Sequence, residues 1–189
     1  TYTYPVYTMI DIQDYNIHKA NVVFDKADFY SHPENFESNF ERFTKVSDIF
    51  MAGHFYGNGA PEILTQDMLA APNCKIKVVA DISCDIDGPV ASTLRASTIA
   101  DPIYGYDPET SAEVAYTTPN AITVMAVDNL PCELPKDASD GFGDLFLTHV
   151  IPAFFNGDKD GILARAAMTN AQQLTPRYEY LQRYVNGEE

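Results

Sequence analysis

The order of apolar and polar positions along this chain predicts strands that alternate with helices and then a helical tail. Val6-Tyr-Thr-Met-Ile-Asp-Ile12 alternates β-branched and aromatic residues and reads as a first strand, followed by an irregular stretch to about Asp25. After Pro33, Phe36, Phe40, Phe43 and Val46 recur at steps of four, three and three with Glu34, Glu37 and Glu41 between them. That spacing predicts an amphipathic helix whose acidic N-terminal end suits the helix dipole. Asp48 to Gly53 reads as a short buried strand and His54 to Pro61 as the loop at its carboxyl end; a short helix near Thr65 to Leu69 and a strand from Lys75 to Ile82 come next. Residues 101 to 120, punctuated by Pro102, Pro108 and Pro119, read as an excursion long enough to be a flap, after which a strand resumes at Ile122 and runs to Val127. From Pro135 the residues Ala138, Phe142, Leu145, Phe146, His149 and Val150 fall on one helical face reaching about Phe155. Two shorter helices are expected near Asp160 to Met168 and Pro176 to Val185. The fold class is α/β: a partial Rossmann-type parallel sheet over residues 1–133 with a C-terminal helical appendage over 134–189.

Two of these strands end in polar residues. Val78-Val-Ala-Asp-Ile-Ser-Cys-Asp-Ile-Asp-Gly-Pro89 delivers Asp81, Asp85 and Asp87 to a carboxyl end and stops at a Gly-Pro break, and the strand beginning at Ile122 ends in Asp128 and Asn129 before Pro131. Open α/β sheets bind ligands outside the carboxyl ends of such strands, so Asp85 and Asn129 are expected at one shared edge. Asp81 fits equally an Asx-turn that caps neighbouring amides. Asp85 is the better functional candidate, because Cys84 and Ile86 take the other face. His54 fits a plain loop histidine as well as a site residue, and His149 on its apolar helix face fits packing.

Composition narrows the partners. Hydrophobic residues make up 46% of the 189 and charged residues 21%, which suits a folded domain. A formal net charge of −15 opposes binding to nucleic acid or to an anionic membrane. The three cysteines, Cys74, Cys84 and Cys132, form no C-x-x-C pair and suit a reducing compartment. No apolar stretch approaches the ~18 residues of a membrane span, so a cytoplasmic protein is expected. No metal is expected either: no Cys/His pair has zinc spacing, and the aspartates lack the further oxygen ligands that a hard cation needs.

A glycine loop for phosphates is missing. Gly57-Asn-Gly59 follows a strand, but Ala60-Pro61 comes next where the loop needs a third glycine further on. Several segments nevertheless fall into a familiar order: Gly53-His-Phe-Tyr-Gly-Asn-Gly-Ala-Pro-Glu-Ile-Leu-Thr-Gln-Asp-Met-Leu69, Val79-Ala-Asp-Ile-Ser-Cys-Asp85, Arg95-Ala-Ser-Thr98, Asp101-Pro102 and Ala126-Val-Asp-Asn-Leu-Pro131. In that order and spacing they resemble the C-terminal portion of the alanine dehydrogenase and pyridine nucleotide transhydrogenase family. Asp81-Ile-Ser-Cys-Asp-Ile86 and Asp128-Asn-Leu-Pro-Cys-Glu-Leu-Pro-Lys-Asp-Ala-Ser139 bring the chain closest to the lysine-ketoglutarate reductase and saccharopine dehydrogenase branch. The resemblance covers roughly residues 6 to 156.

The resemblance implies a C-terminal fragment of an NAD(P)-dependent amino-acid dehydrogenase, inactive by itself, whose helices pack on a substrate domain outside the chain. It implies that Gly53 and His54 lie against the nucleotide, that Ile82, Ser83, Cys84 and Asp85 line the nicotinamide side, and that Val127, Asp128, Asn129 and Leu130 close it. Asp85 matches the family's catalytic aspartate and Asn129 a cofactor contact, while Arg95 matches a family arginine once one residue is inserted after Asp85. The cofactor is then NAD or NADP, the substrate a small amino acid or keto acid, and the protein a homo-oligomer. The alternative reading is a non-enzymatic nucleotide-sensing or assembly module of the same fold.

Overall fold

In the computed structural model, which describes residues 3–57 and 59–188, the chain divides into two compact units between Glu133 and Leu134. The expected strand at Val6 to Ile12 is absent. Tyr7 and Met9 are exposed, and the backbone then turns into helix α1 (Ile12–Tyr15), because Asp11 accepts the Ile12 N–H at 2.8 Å while Asp14 accepts the Asp11 N–H at 2.7 Å. This reciprocal cap satisfies amides that a strand would have needed a neighbour to satisfy. Strand β1 (Asn16–His18), helix α2 (Lys26–Ser31) and strand β2 (Phe36–Ser38) follow, with β1 and β2 antiparallel.

The helix expected from Phe36 to Val46 is therefore corrected to strand β2 and the single turn α3 (Glu41–Thr44). The aromatic spacing was shared between two environments: Phe36 packs edge-on against Phe24 and Phe29 in a small cluster, whereas Phe40 enters the main core beside Phe50. Val46 stays exposed.

Strand β3 (Ile49–Ala52), helix α4 (Gln66–Ala70) and strand β4 (Val78–Asp81) form where expected, with Thr65 capping α4 through the Met68 N–H, but β3 is corrected from a buried strand to the sheet's edge strand, with Ile49 and Met51 exposed. Residues 101–120 are no flap. They form β5 (Ile103–Asp107) and β6 (Ala112–Val114), a hairpin that belongs to the sheet, and β7 (Ile122–Met125) returns beside it. The turn is made by Asp107, which accepts the Glu109 N–H at 2.9 Å and the Thr110 hydroxyl at 2.8 Å, so Pro108 sits in the hairpin loop and breaks nothing. Tyr104 and Tyr106 are buried, and Tyr104 gives its hydroxyl to the Ser92 carbonyl at 2.9 Å. Between them, Gly105 is required by a close approach: a Cβ there would lie 2.7 Å from the Ala115 carbonyl oxygen.

The sheet order is β3-β4-β7-β5-β6, with β3, β4 and β7 parallel and β5 antiparallel to both its neighbours. Val79 lies opposite Phe50 on one side and Val124 on the other, and this row faces the core with Ile63, Leu64, Leu69 and Val90. The fold is mixed α/β, with parallel strands at three of the four expected places and an antiparallel pair where the sequence suggests a flap.

The second unit is helical. The long helix expected from Pro135 is three pieces: α5 (Pro135–Leu145), a wider π-type stretch over Phe146–Val150, and α6 (Ile151–Phe155). Pro152 has no N–H to offer the preceding turn, and the ladder widens just before it. Helix α7 (Ile162–Ala166), a two-residue hairpin of β8 (Thr169–Asn170) and β9 (Gln173–Leu174), 3₁₀ turns over Pro176–Leu181 and helix α8 (Gln182–Val185) complete it. Ala171 and Gln172 both have positive φ (48° and 68°), the geometry of a tight turn that matches strand twist. Phe142, Leu145, Leu147 and Phe155 are exposed. No helix among the described residues is long and apolar enough to cross a membrane.

Candidate functional site

Strands β3, β4 and β7 are adjacent and parallel, so Gly53, Ile82 and Ala126 leave the sheet at the same edge. Asp85 lies four residues beyond the end of β4 and Asn129 four beyond the end of β7, which puts both past that one edge, as the shared-crevice reading requires. What holds the edge together is a set of polar side chains aimed back at the backbone.

Asp81 is the hub. It is completely buried, and one carboxylate oxygen accepts the Ser83 and Cys84 N–H groups at 3.1 Å each while the other accepts the Thr93 hydroxyl at 2.6 Å. This is the Asx-turn arrangement, with a hydroxyl from a later loop as its third support. Ser83 ties β4 to β3: its hydroxyl donates to the His54 carbonyl at 2.9 Å and accepts the His54 N–H at 3.1 Å. Cys84 ties β4 to β7 through a thiol contact with the Ala126 carbonyl at 3.1 Å. Ser97 completes the row, since its hydroxyl accepts the Ala126 N–H at 3.0 Å and donates to the Pro102 carbonyl at 2.9 Å. Sequence reasoning missed Thr93 and Ser97, and short polar residues in an irregular segment give no signal of such roles.

The turn is strained around Asp85. Cys84 and Asp87 both have positive φ (52° and 54°), a region that residues with a Cβ avoid. Gly88 is indispensable to the geometry, because a Cβ there would lie 2.6 Å from the Asp85 carbonyl oxygen, which already accepts the Gly88 N–H at 3.1 Å. The Asp85 side chain is half-buried and has no hydrogen-bond partner among the described residues. Ile82 and Ile86 are exposed beside it.

Electrostatics tie the same groups together. Burial pushes the Cys84 thiol pKa up, and the carboxylates of Asp81, Asp128 and Asp85 push it the same way. Cys84 is therefore a poor nucleophile and serves as a tie. Burial lowers the His54 pKa, with Asp81 and Asp85 acting in opposition, and His54 Nε2 is enclosed without a partner among the described residues. Burial raises the Tyr56 pKa, with Glu62 and Asp85 adding to it. The structure thus brings together His54, Ser83, Cys84 and Asp85, with Asp128 within electrostatic reach.

The other predicted positions fall as follows. Gly53 is exposed, and a Cβ built on it meets nothing within 4 Å. Val127 is buried and pairs across to Ser97, Leu130 is half-buried, and Asp128 and Asn129 are exposed. Arg95 has its contacts elsewhere: its guanidinium grips Glu113 of β6 with bonds of 2.8 and 2.9 Å and covers the Tyr104 ring at 4.7 Å. Among the described residues, no group of three or more His, Cys, Asp or Glu side chains could hold a metal ion. Chemically, the edge offers the carboxylates of Asp85 and Asp128 and apolar surface from Ile82 and Ile86. It suits a flat, partly apolar ligand with a polar or cationic group.

No protein-family model matches the chain. It is 31% identical over 189 residues to the alpha-aminoadipic semialdehyde synthase of Arabidopsis thaliana, a match that covers 95% of this chain and 18% of that protein. The mitochondrial alpha-aminoadipic semialdehyde synthase of Mus musculus is 21% identical over 208 residues, covering 96% of this chain and 22% of its own length. The saccharopine dehydrogenase [NAD(+), L-lysine-forming] of Schizosaccharomyces pombe is 30% identical over 115 residues, or 58% of this chain and 29% of that protein. Its relatives are saccharopine dehydrogenases and alpha-aminoadipic semialdehyde synthases. The chain spans between 18% and 29% of these relatives' lengths.

Proposed function

We propose that this chain is the later part of an NAD(P)-dependent oxidoreductase of the saccharopine dehydrogenase-like branch, within the wider alanine dehydrogenase and pyridine nucleotide transhydrogenase family. Residues 1–133 belong to its Rossmann-like nucleotide domain, and 134–189 are helices that pack on a substrate domain outside the chain. The substrate class is amino acids and keto acids joined through a CH–NH bond, with saccharopine the first to test because it is named in the relatives. A homo-oligomer in a reducing compartment such as the cytoplasm completes the reading, the second point supported by three free cysteines.

The observation that carries it is the strand-end turn at Ile82 to Asp85, locked on β3 by Ser83 and on β7 by Cys84, with Asp85 left over. The residues fit the ring end of a nicotinamide dinucleotide. Gly53 leaves open space where a side chain would stand, and Ile82 and Ile86 offer apolar contact. They do not fit its pyrophosphate, for which no glycine loop is present. When bound, the nicotinamide supplies the hydride acceptor or donor. Within the chain, Gly53, His54, Ile82 and Val127 to Leu130 wall the ring, Asn129 orients it, and Asp85 accepts or relays the proton released at nitrogen.

The test is Asp85→Asn in the full-length protein, with saccharopine and either NAD or NADP. The expected outcome is a folded variant with turnover lowered on the order of a hundredfold or more. Unchanged turnover across pH would leave Asp85 a turn residue, and weaker nucleotide binding with normal turnover at saturation would leave it a binding residue only. A full-length protein that binds nucleotide without turning over any such substrate would favour the sensing or assembly module.

A further inference from the structure

We infer that Ser83 is a positioning residue: its hydroxyl continues the β3–β4 ladder past the last backbone pair and fixes the Gly53–His54 peptide against which the nicotinamide ring lies. This rests on the dinucleotide reading above and changes the role of Ser83 from nucleotide contact to support.

The regular pairing of β3 with β4 ends at Ala52 opposite Asp81, and the Ala52 carbonyl closes it by accepting the Ile82 N–H at 2.8 Å and the Ser83 N–H at 3.3 Å. Beyond that point the two backbones diverge, since β4 turns into the strained corner at Cys84. His54 would lose both its backbone partners there. The Ser83 side chain replaces them, donating to the His54 carbonyl and accepting the His54 N–H at 2.9 and 3.1 Å. Both functions of the hydroxyl are then in use on one residue, and little remains for a ligand. Ser83 is itself fixed, because its own N–H is held by buried Asp81. A chain of support therefore runs from Asp81 through Ser83 to the His54 peptide.

The position of this tie decides what its loss should do. A dinucleotide draws much of its affinity from its pyrophosphate, which sits on a glycine loop and a helix N-terminus and not on the Ser83–His54 tie. Loosening the peptide under the ring should disturb alignment and leave affinity nearly intact, and alignment errors of about 1 Å can cost on the order of a hundredfold in rate.

The experiment uses the full-length protein as wild type, Ser83→Ala and Ser83→Thr, with NADH binding followed by fluorescence, saccharopine turnover with NAD, and thermal unfolding. The expected result for Ser83→Ala is kcat lowered about tenfold to a hundredfold with the NADH Kd within about threefold of wild type. Ser83→Thr, which keeps the hydroxyl, should recover kcat to within about threefold, because the lost feature is the hydrogen bonding rather than the side chain's size. Three outcomes overturn the assignment: an alanine variant with lowered Tm and unchanged kcat, which makes Ser83 structural only; an NADH Kd raised tenfold with normal kcat at saturation, which makes it a direct contact; and a threonine variant as slow as alanine. Failure of the underlying reading is recognisable separately, because it appears in the wild-type protein as absence of NADH and NADPH binding.

Discussion

Asp81→Ala should be among the most damaging single substitutions in this chain. The carboxylate is completely buried and receives three hydrogen bonds, from the Ser83 and Cys84 amides and the Thr93 hydroxyl. Each bond to a charged acceptor contributes about 1.5–3 kcal/mol, and a buried donor left unpaired costs about 1–3 kcal/mol. The three are not additive, and a water entering the space vacated by the carboxylate can serve one donor, so a net loss of about 3–5 kcal/mol is expected. Against a typical total of about 5–15 kcal/mol that is a large share of the stability. Asp81→Asn should cost only about 1–2 kcal/mol, since its amide oxygen can keep both N–H bonds and the Thr93 hydroxyl can turn to accept from the amide nitrogen. Urea unfolding followed by far-UV circular dichroism measures both, with a shifted midpoint at constant slope as the signature of a pure stability change. An alanine variant within about 1 kcal/mol of wild type would refute the view of Asp81 as the hub of the turn.

Gly88→Ala should destabilise by about 1–3 kcal/mol and lower any activity that depends on Asp85, because the new Cβ would meet the Asp85 carbonyl oxygen at 2.6 Å. Gly141→Ala is the matched control: nothing lies within 4 Å of its Cβ inside α5, so stability should rise by about 0.5–1 kcal/mol, read as a higher urea midpoint, and a fall would contradict the helix assignment. Burial lowers the His54 pKa below its ordinary 6.5, so the unfolded chain takes up the proton first; the stability His54 contributes is complete above that value and is lost as pH falls through it toward the folded pKa. Urea midpoints taken downward from about pH 7.5 should therefore drop more steeply for wild type than for His54→Gln, and parallel curves would remove the buried imidazole from the account. In alkylation followed by mass spectrometry, exposed Cys132 should react before Cys84, whose thiol is held protonated by burial and nearby carboxylates; the reverse order would mean that the Cys84 tie to Ala126 is open in solution.

The parts of the fold that the sequence made legible are those in which local pattern and burial agree. Strands β4 and β7 are short apolar runs that lead into polar residues, as buried parallel strands do, whereas β3 has the same apolar look at the sheet edge with Ile49 and Met51 exposed. The misreadings came where one pattern served two purposes. Phe36 and Phe40 stand a helical step apart, yet they sit in different clusters, and the strand between Pro33 and Ser38 is specified by its partner β1, which no local period reveals. Residues 101–120 looked like an excursion because proline and glycine usually punctuate loops. Here Pro108 occupies a hairpin loop, and Gly105 is a strand residue pressed against the Ala115 backbone. The place of Asp85 and Asn129 beyond strand ends could be read from the sequence, whereas Thr93 and Ser97 act through partners 12 and 29 residues away and leave no trace in their own neighbourhood.

The three acids after β4 show how environment separates residues of one type. Asp81 points inward and is fully engaged by backbone and hydroxyl donors, so its charge shapes the turn and little of it reaches a ligand. Asp87 is exposed at a positive-φ corner, where water screens it. Asp85 lies between these extremes, half-buried, without a hydrogen-bond partner among the described residues, and carried on a turn that Asp81, Ser83 and Gly88 hold in a strained shape. Strain of this kind persists only where the surroundings over-determine it. A turn that needed only to reverse the chain could have relaxed by placing glycine at Cys84 or Asp87. That it carries side chains through both corners, with the Asp85 carboxylate between them, is the physical argument behind the role proposed for Asp85.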